Sequence, residues 1–242
     1  MKSIILKTTA LCFAILFLNS CRDEKPEDRY VAYSTALSAD LIQSDEGTLL
    51  YVQENKSEAT WVANERLIVD YTRLSDRATT GQNALNVRVN QAYKVLTKSL
   101  VPLTFLNTQT RIDSIGRDPI DIVDLWFAGK YMNINFYVYR NDPNQKHFIN
   151  LVVNDTLSTV SNLYVELRHN AYYDMTSFKT VGNASFDISG YLPQTLMPQA
   201  LKVHITRRSY SGVMLTDTVT YNYQGGVVLK SPSVKGLMRE LK

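Results

Sequence analysis

The side chains able to do chemistry in this 242-residue chain are few and dispersed. Its three histidines, His147, His169 and His204, lie in or beside predicted strands, where pairing could bring two together as metal ligands or as a general base and its partner. His169 follows Leu163, Val165 and Leu167 in phase and so turns inward. A structural role competes with the functional one there: a ring hydrogen-bonded to backbone, with Arg168 and Asn170 tying down a loop. His204 alternates with Lys202 and Thr206 on a polar face. The spacing shows no metal-ligand cluster and calls for no cofactor. Asp121 and Asp124, just before Leu125-Trp126-Phe127, form a carboxylate pair, a combination that hydrolyses glycosides elsewhere. Three positions apart on a strand, they face opposite sides. Gly-x-Ser-x-Gly, His-Glu-x-x-His, phosphate-loop and dinucleotide patterns are absent, and no serine has a lysine three residues on. No catalytic residue is assigned, and the chain reads as non-enzymatic.

Recognition is better supplied. Of fifteen tyrosines, Tyr137 and Tyr139 share a predicted strand face with Asn133 and Asn135, and Trp126 lies just upstream. Ring faces beside planar amides suit a sugar; the same rings also suit the cover of a sheet or a contact with a second domain. A net charge of +3 is too small to argue for nucleic acid.

The N-terminus sets the expected compartment. Lys2 and Lys7 precede an apolar run from Thr8 to Leu18, too short for a stable span of about 20 residues. Leu18-Asn19-Ser20-Cys21 resembles the lipobox of bacterial lipoproteins, in which the signal is removed and the cysteine acylated. Residues 1–20 are thus expected to be a signal peptide and Cys21 a lipidation site. Each buried acyl methylene is worth about 0.8 kcal/mol, so two or more chains hold a membrane. The expected address is the cell envelope, at the outer membrane. The acidic stretch after Cys21 suits a tether over residues 21–40, and equally resembles the export tag of surface lipoproteins.

Period-2 alternation dominates the remainder. Met132, Ile134, Phe136 and Val138 fall on one face; Leu163, Val165 and Leu167, then Ala184, Phe186 and Ile188, then Leu201, Val203 and Ile205, repeat the pattern, and Val219 and Tyr221 close it. About seven strands between 120 and 224 suit an antiparallel sandwich. Leu49–Glu54, Leu67–Leu74 and Leu85–Thr97 suit a small curled barrel. The predicted class is all-β: a small OB-like barrel (41–110), a boundary within 107–118, an antiparallel β-sandwich (113–230) and a tail (231–242).

Several segments resemble the NigD-like family of envelope lipoproteins. They are Asp113-Ser114-Ile115-Gly116-Arg117-Asp118-Pro119-Ile120, Gly129-Lys130-Tyr131-Met132-Asn133-Ile134, Lys146-His147-Phe148-Ile149-Asn150, Leu167-Arg168-His169-Asn170-Ala171-Tyr172 with Asp174, and Ser185-Phe186-Asp187. The resemblance implies an N-terminal OB-like barrel, a C-terminal β-sandwich and a lipoprotein signal. The family name implies a bacteriocin-immunity role. The primary functional expectation is therefore an unknown protein or peptide partner, and the second is a glycan on the aromatic face. Asp113-Ser114-Ile115, Asp155-Thr156-Leu157 and Asp217-Thr218-Val219 also resemble a periplasmic O-glycosylation sequon, with Ser114, Thr156 and Thr218 as acceptors in loop-like places.

Overall fold

The computed structural model describes residues 28–77, 83–174, 177–193 and 199–223. Cys21, the expected signal over residues 1–20 and the expected tail over 231–242 lie outside them. Strands β1 (Arg29–Ala36), β2 (Leu41–Ser44), β3 (Leu49–Asn55), β4 (Arg66–Asp76) and β5 (Ala84–Lys94) close a barrel in the order β1-β2-β3-β5-β4. Only β3 and β5 pair in parallel. This five-stranded closure is the OB arrangement expected from the sequence. Two register shifts between β4 and β5 let these eleven-residue strands curl around the interior. Ile42, Leu50, Leu67, Val69, Val87 and Val89 fill it, and Trp61 packs with them.

One boundary is corrected here. β1 begins at Arg29, inside the stretch expected to be a tether. Its inward positions are Ala32, Ser34 and Ala36, too small to stand out as an apolar face, so the alternation is silent in the sequence.

The second unit contains β6 (Leu96–Ser99), β7 (Val101–Pro102), α1 (Gln109–Ile115), β8 (Asp121–Ala128), β9 (Tyr131–Arg140), β10 (Phe148–Val153), β11 (Asn162–Asn170), β12 (Phe178–Asp187), β13 (Gln199–Arg208) and β14 (Met214–Tyr223). One sheet runs β14-β13-β11-β10-β7 and the other β6-β12-β9-β8. The faces read from the sequence are the faces buried: Met132, Ile134, Phe136 and Val138 meet Leu151, Leu167, Val203 and Ile205 in one core.

The sandwich is mixed rather than purely antiparallel. β11 and β13 pair in parallel because the intervening β12 crosses to the opposite sheet, so the chain returns in its former direction. β6 and β7 also pair in parallel, with β12 and β10. They place the crossing between units near Val95, upstream of the expected 107–118. That stretch instead holds α1, capped by Thr108, whose hydroxyl accepts from the Arg111 N–H, and ended by Gly116 at φ +69°.

Arg66 welds the two units. Its side chain is fully buried. The guanidinium donates to both Asp45 oxygens at 2.5 and 2.6 Å, to Thr35 at 2.9 Å, and across the interface to Asn133 Oδ1 at 2.9 Å and Ser185 Oγ at 3.3 Å. Trp126 Nε1 donates back to Asp45 Oδ2 at 2.7 Å. A desolvated arginine needs this many acceptors, since each unmet N–H in the interior is costly.

Candidate functional site

The aromatic face expected from the sequence divides in two. Asn133, Asn135 and Trp126 point to the barrel: Asn133 receives Arg66, Asn135 Oδ1 accepts the Tyr33 hydroxyl at 3.0 Å, and Trp126 packs edge-on to Tyr33 with centroids 4.7 Å apart. These three serve the domain contact. Tyr137 and Tyr139 lie further along β9, beyond the barrel, in a cluster with Tyr210. Tyr137 stacks on Tyr210 at 5.8 Å, and Tyr139 meets it edge-on at 4.8 Å. The five residues therefore form no common exposed face. Period-2 reading places Asn133, Asn135, Tyr137 and Tyr139 on one side of β9, but it carries no information about where along that side the barrel sits.

The carboxylate pair is also rearranged. A bulge between Ile122 and Asp124 sets Asp121 opposite Tyr137 and Asp124 opposite Asn135, so both lie on the same face. Simple alternation misses this. Asp121 accepts from the Tyr137 hydroxyl at 2.8 Å and from Arg207 Nε at 3.3 Å, which makes it part of a structural network.

Strand pairing does bring two histidines together. His169, at the end of β11, lies opposite Ile149, and His147 is two residues before Ile149 on the same face. Their rings share a 2.9 Å hydrogen bond between His169 Nε2 and His147 Nδ1. Acceptors flank the pair: His169 Nδ1–H donates to the Pro119 carbonyl at 2.9 Å, and His147 Nε2–H donates to Asp174 Oδ2 at 2.9 Å. Asp174 also accepts the backbone N–H of Asn141 at 3.1 Å and of Asp142 at 3.2 Å. The inner nitrogens are spent on each other. Among the described residues no group of three histidine, cysteine or acidic side chains could hold a metal ion. His204 lies elsewhere, stacked on Tyr164 at 4.3 Å.

This chain has a pH signature. Burial pushes the His169 ring below its ordinary value, against the pull of the Pro119 carbonyl. Burial would raise Asp174, but the hydrogen bonds from His147, Asn141 and Asp142 outweigh it and hold the carboxyl below the usual range. In both cases the unfolded state binds the proton first, so stability falls with pH. His169 contributes a loss that starts near its unfolded value of about 6.5, and Asp174 a second one below about 3.9. Denaturant midpoints measured from pH 8 to pH 4 are expected to fall as pH drops below about 6.5 in the wild type, with this step missing in His169→Gln. A midpoint flat across that range in the wild type would refute the assignment.

The His–Asp chain holds one wall of a groove of about 1000 Å³ at the end of the sandwich. Tyr139 and Tyr210 line it on the sheet side; α1 and the turn after β11 close it with Asp113, Asp118, Tyr172 and Tyr173. Asn170 Nδ2 bonds the Asp113 and Ser114 carbonyls at 2.8 and 3.1 Å and so ties α1 to β11. His169 and Asn170 thus fasten backbone as the structural alternative for this segment required. Tyr172 and Tyr173 have φ of +50° and +64°, a left-handed conformation that bulky residues rarely adopt. Tyr172 packs edge-on to Phe148 at 5.3 Å, whereas Tyr173 is fully exposed. Alternation cannot find Tyr173 or Tyr210; the only signal is two adjacent tyrosines in a polar turn between strand runs.

The three sequon residues are exposed. Thr156 lies in a turn, but Ser114 lies in α1 and Thr218 in β14, so two of the three are not in loops.

A profile of the NigD-like C-terminal beta sandwich domain matches residues 102–221, which span β8 to β13 and most of β14. The chain belongs to the NigD-like family. Solved structures of similar fold come from Bacteroides and Parabacteroides species. A NigD-like immunity protein from Bacteroides caccae has 15% identity and a TM-score of 0.61, over 80% of this chain and 97% of that one. A protein from Parabacteroides distasonis described as toxin-related has 25% identity and a TM-score of 0.65, over 81% and 94%. A protein of unknown function from Bacteroides vulgatus has 24% identity and a TM-score of 0.64, over 82% and 93%. The search of curated proteins found no match. The shared coverage extends beyond the sandwich, so the NigD-like domain of this chain sits in a two-unit fold common to these structures. Among the described residues no helix is long and apolar enough to cross a membrane.

Proposed function

We propose that this NigD-like protein is a lipid-anchored envelope protein that binds a basic peptide segment of a protein partner, without turnover, in the tyrosine groove. The observation that carries the reading is Tyr173, held fully exposed in a left-handed backbone at the mouth of a groove lined by aspartates. Such strain persists only where surrounding contacts enforce it, and it clusters at recognition sites. Tyrosine faces next to Asp113 and Asp118 suit a lysine or arginine side chain through cation–π and ionic contact. Arg117, the basic residue of the lining, is paired with Glu166 at 2.8 Å and leaves the aspartates uncompensated by it. The Bacteroides caccae structure is described as a NigD-like immunity protein, which agrees with partner binding. The glycan reading loses its amides, because Asn133 and Asn135 face the barrel.

Fluorescence anisotropy with blocked ten-residue peptides, one rich in lysine and arginine and one with glutamate in their place, tests this. Tyr173→Gly relieves the backbone and removes the ring. It is expected to weaken the basic peptide by more than about 1 kcal/mol, as aromatic anchors do, with no loss of stability beyond about 0.5 kcal/mol. Equal binding of the acidic peptide, or full affinity in the variant, would overturn the reading. In the same strain, Cys21→Ala should release the protein from membranes; retention would remove the anchor from it.

A further inference from the structure

The sandwich has an unfinished seam that borders the tyrosine groove where Phe148 meets Tyr172. β6 covers β12 only from Ala184 to Asp187, and β7 covers β10 only at Val152 and Val153. Below them, Phe178–Asn183 of β12 and Phe148–Leu151 of β10 form open edges. The direction of the backbone groups follows from register. The Ile188 N–H donates to the Lys130 carbonyl towards β9, so Gly182, Thr180 and Phe178, counted back in twos, also turn towards β9. Lys179, Val181 and Asn183 therefore present their N–H and C=O groups outward. Among the described residues the pairing on this side of β12 begins only at Ala184, opposite Leu96.

An exposed strand edge is a template for another strand, and folds usually blunt it with charge, proline or a cover. Here the edge instead adjoins a groove of about 780 Å³ that reaches Phe136, Val138 and Ile149 of the core. Leu96, Phe148, Phe178 and Val181 stand exposed around it, at 47%, 46%, 45% and 62%. Gly182 keeps the strand low at this point: a Cβ there would lie 2.6 Å from the Phe136 ring. The basic side chains of the lining are Lys98, Arg140 and Lys146, and among the described residues no carboxylate lines it. Lys98 Nζ bonds the Ile149 carbonyl at 3.0 Å and Asn150 Oδ1 at 2.6 Å, so a cation is held at the rim of the cleft.

We propose that this seam is a strand-addition site for an extended partner segment that alternates aliphatic and acidic residues. The segment would lie beside Phe178–Asn183, continue the line of β6, exchange backbone hydrogen bonds with Lys179, Val181 and Asn183, and place aliphatic side chains over Gly182 and Phe148. Backbone bonds supply affinity in this mode and side-chain pockets supply specificity. The basic rim selects acidic over basic sequences. The seam shares no lining residue with the tyrosine groove.

The probe is a blocked heptapeptide of alternating valine and glutamate, with two twins: one with lysine for glutamate and one N-methylated on alternate amides. Amide hydrogen exchange of the whole protein should show Lys179, Val181 and Asn183 unprotected in the free state and slowed at least about tenfold when the peptide saturates. The lysine and N-methylated twins should bind at least about tenfold more weakly. Val181→Pro removes one outward N–H but no bond to β9, a placement that edge strands tolerate, and should weaken the peptide by a similar factor. Tyr173→Gly should leave its affinity unchanged, which separates this result from failure of the groove. Absent binding, equal binding of either twin, or protection of these amides in the free protein would overturn the proposal.

Discussion

Arg66→Ala is expected to destabilise the fold by about 3–5 kcal/mol, the cost of removing one member of a buried, hydrogen-bonded ion pair. The truncation leaves the Asp45 carboxylate, about one-tenth exposed, without its counter-ion, and takes a donor from Thr35, Asn133 and Ser185. Asp45→Ala should act similarly, because it also takes the acceptor of Trp126 Nε1. The double variant should cost clearly less than the two singles together, since both remove the same interaction. Urea unfolding followed by tryptophan fluorescence and by far-ultraviolet dichroism reads the effect. The wild type should give coincident transitions, and Arg66→Ala should separate them, because the network spans the barrel and the sandwich. A loss below about 1 kcal/mol would mean that the interface rests on its apolar contacts.

Gly116→Ala carries the second large expectation. The residue ends α1 at φ +69°, where an L side chain is strained by roughly 1–2 kcal/mol. The added Cβ would also lie 2.6 Å from Asn170 Cβ and 2.7 Å from the His169 carbonyl oxygen, and backbone there cannot yield cheaply. Overpacking of this kind adds about 1–3 kcal/mol. The sum is either a destabilisation of about 2–5 kcal/mol or a detachment of α1 from β11 that opens the tyrosine groove. Thermal unfolding distinguishes no effect from either outcome, and faster exchange of the α1 amides identifies the second. An unchanged melting temperature with unchanged α1 exchange would show that the contact is slack.

Positions whose chemistry is strictly local were legible in the sequence. Met132 to Val138 and Leu201 to Ile205 announce their strands because aliphatic residues alternate without interruption, and the buried faces follow from that pattern. β1 was hidden because its inward residues are alanine and serine. The same-side placement of Asp121 and Asp124 was hidden because one bulge reverses parity. The parallel pairs were hidden because strand direction depends on where β12 crosses, a property of the whole chain. The candidate sites depend on such non-local facts. The sequence shows that strands could unite two histidines, but the Asp174–His147–His169 chain appears only once β10 and β11 are in register. Tyr173 is significant through its backbone angle, which no pattern of residue types encodes.

Strand order also dictates a timetable. The barrel's strands are complete by Lys94, so a chain emerging from its N-terminus can close that unit early. The next residues, β6 and β7, have no strand to pair with until β10 and β12 exist, and β12 ends at Asp187. Arg66 likewise waits for Asn133 and Ser185. For nearly a hundred residues of growth the nascent barrel carries a half-coordinated guanidinium on its surface and two unclaimed strands at its exit. β12 then supplies the partner of β6 and the Ser185 acceptor of the arginine, and β13 and β14 remain to be added before the sandwich is complete.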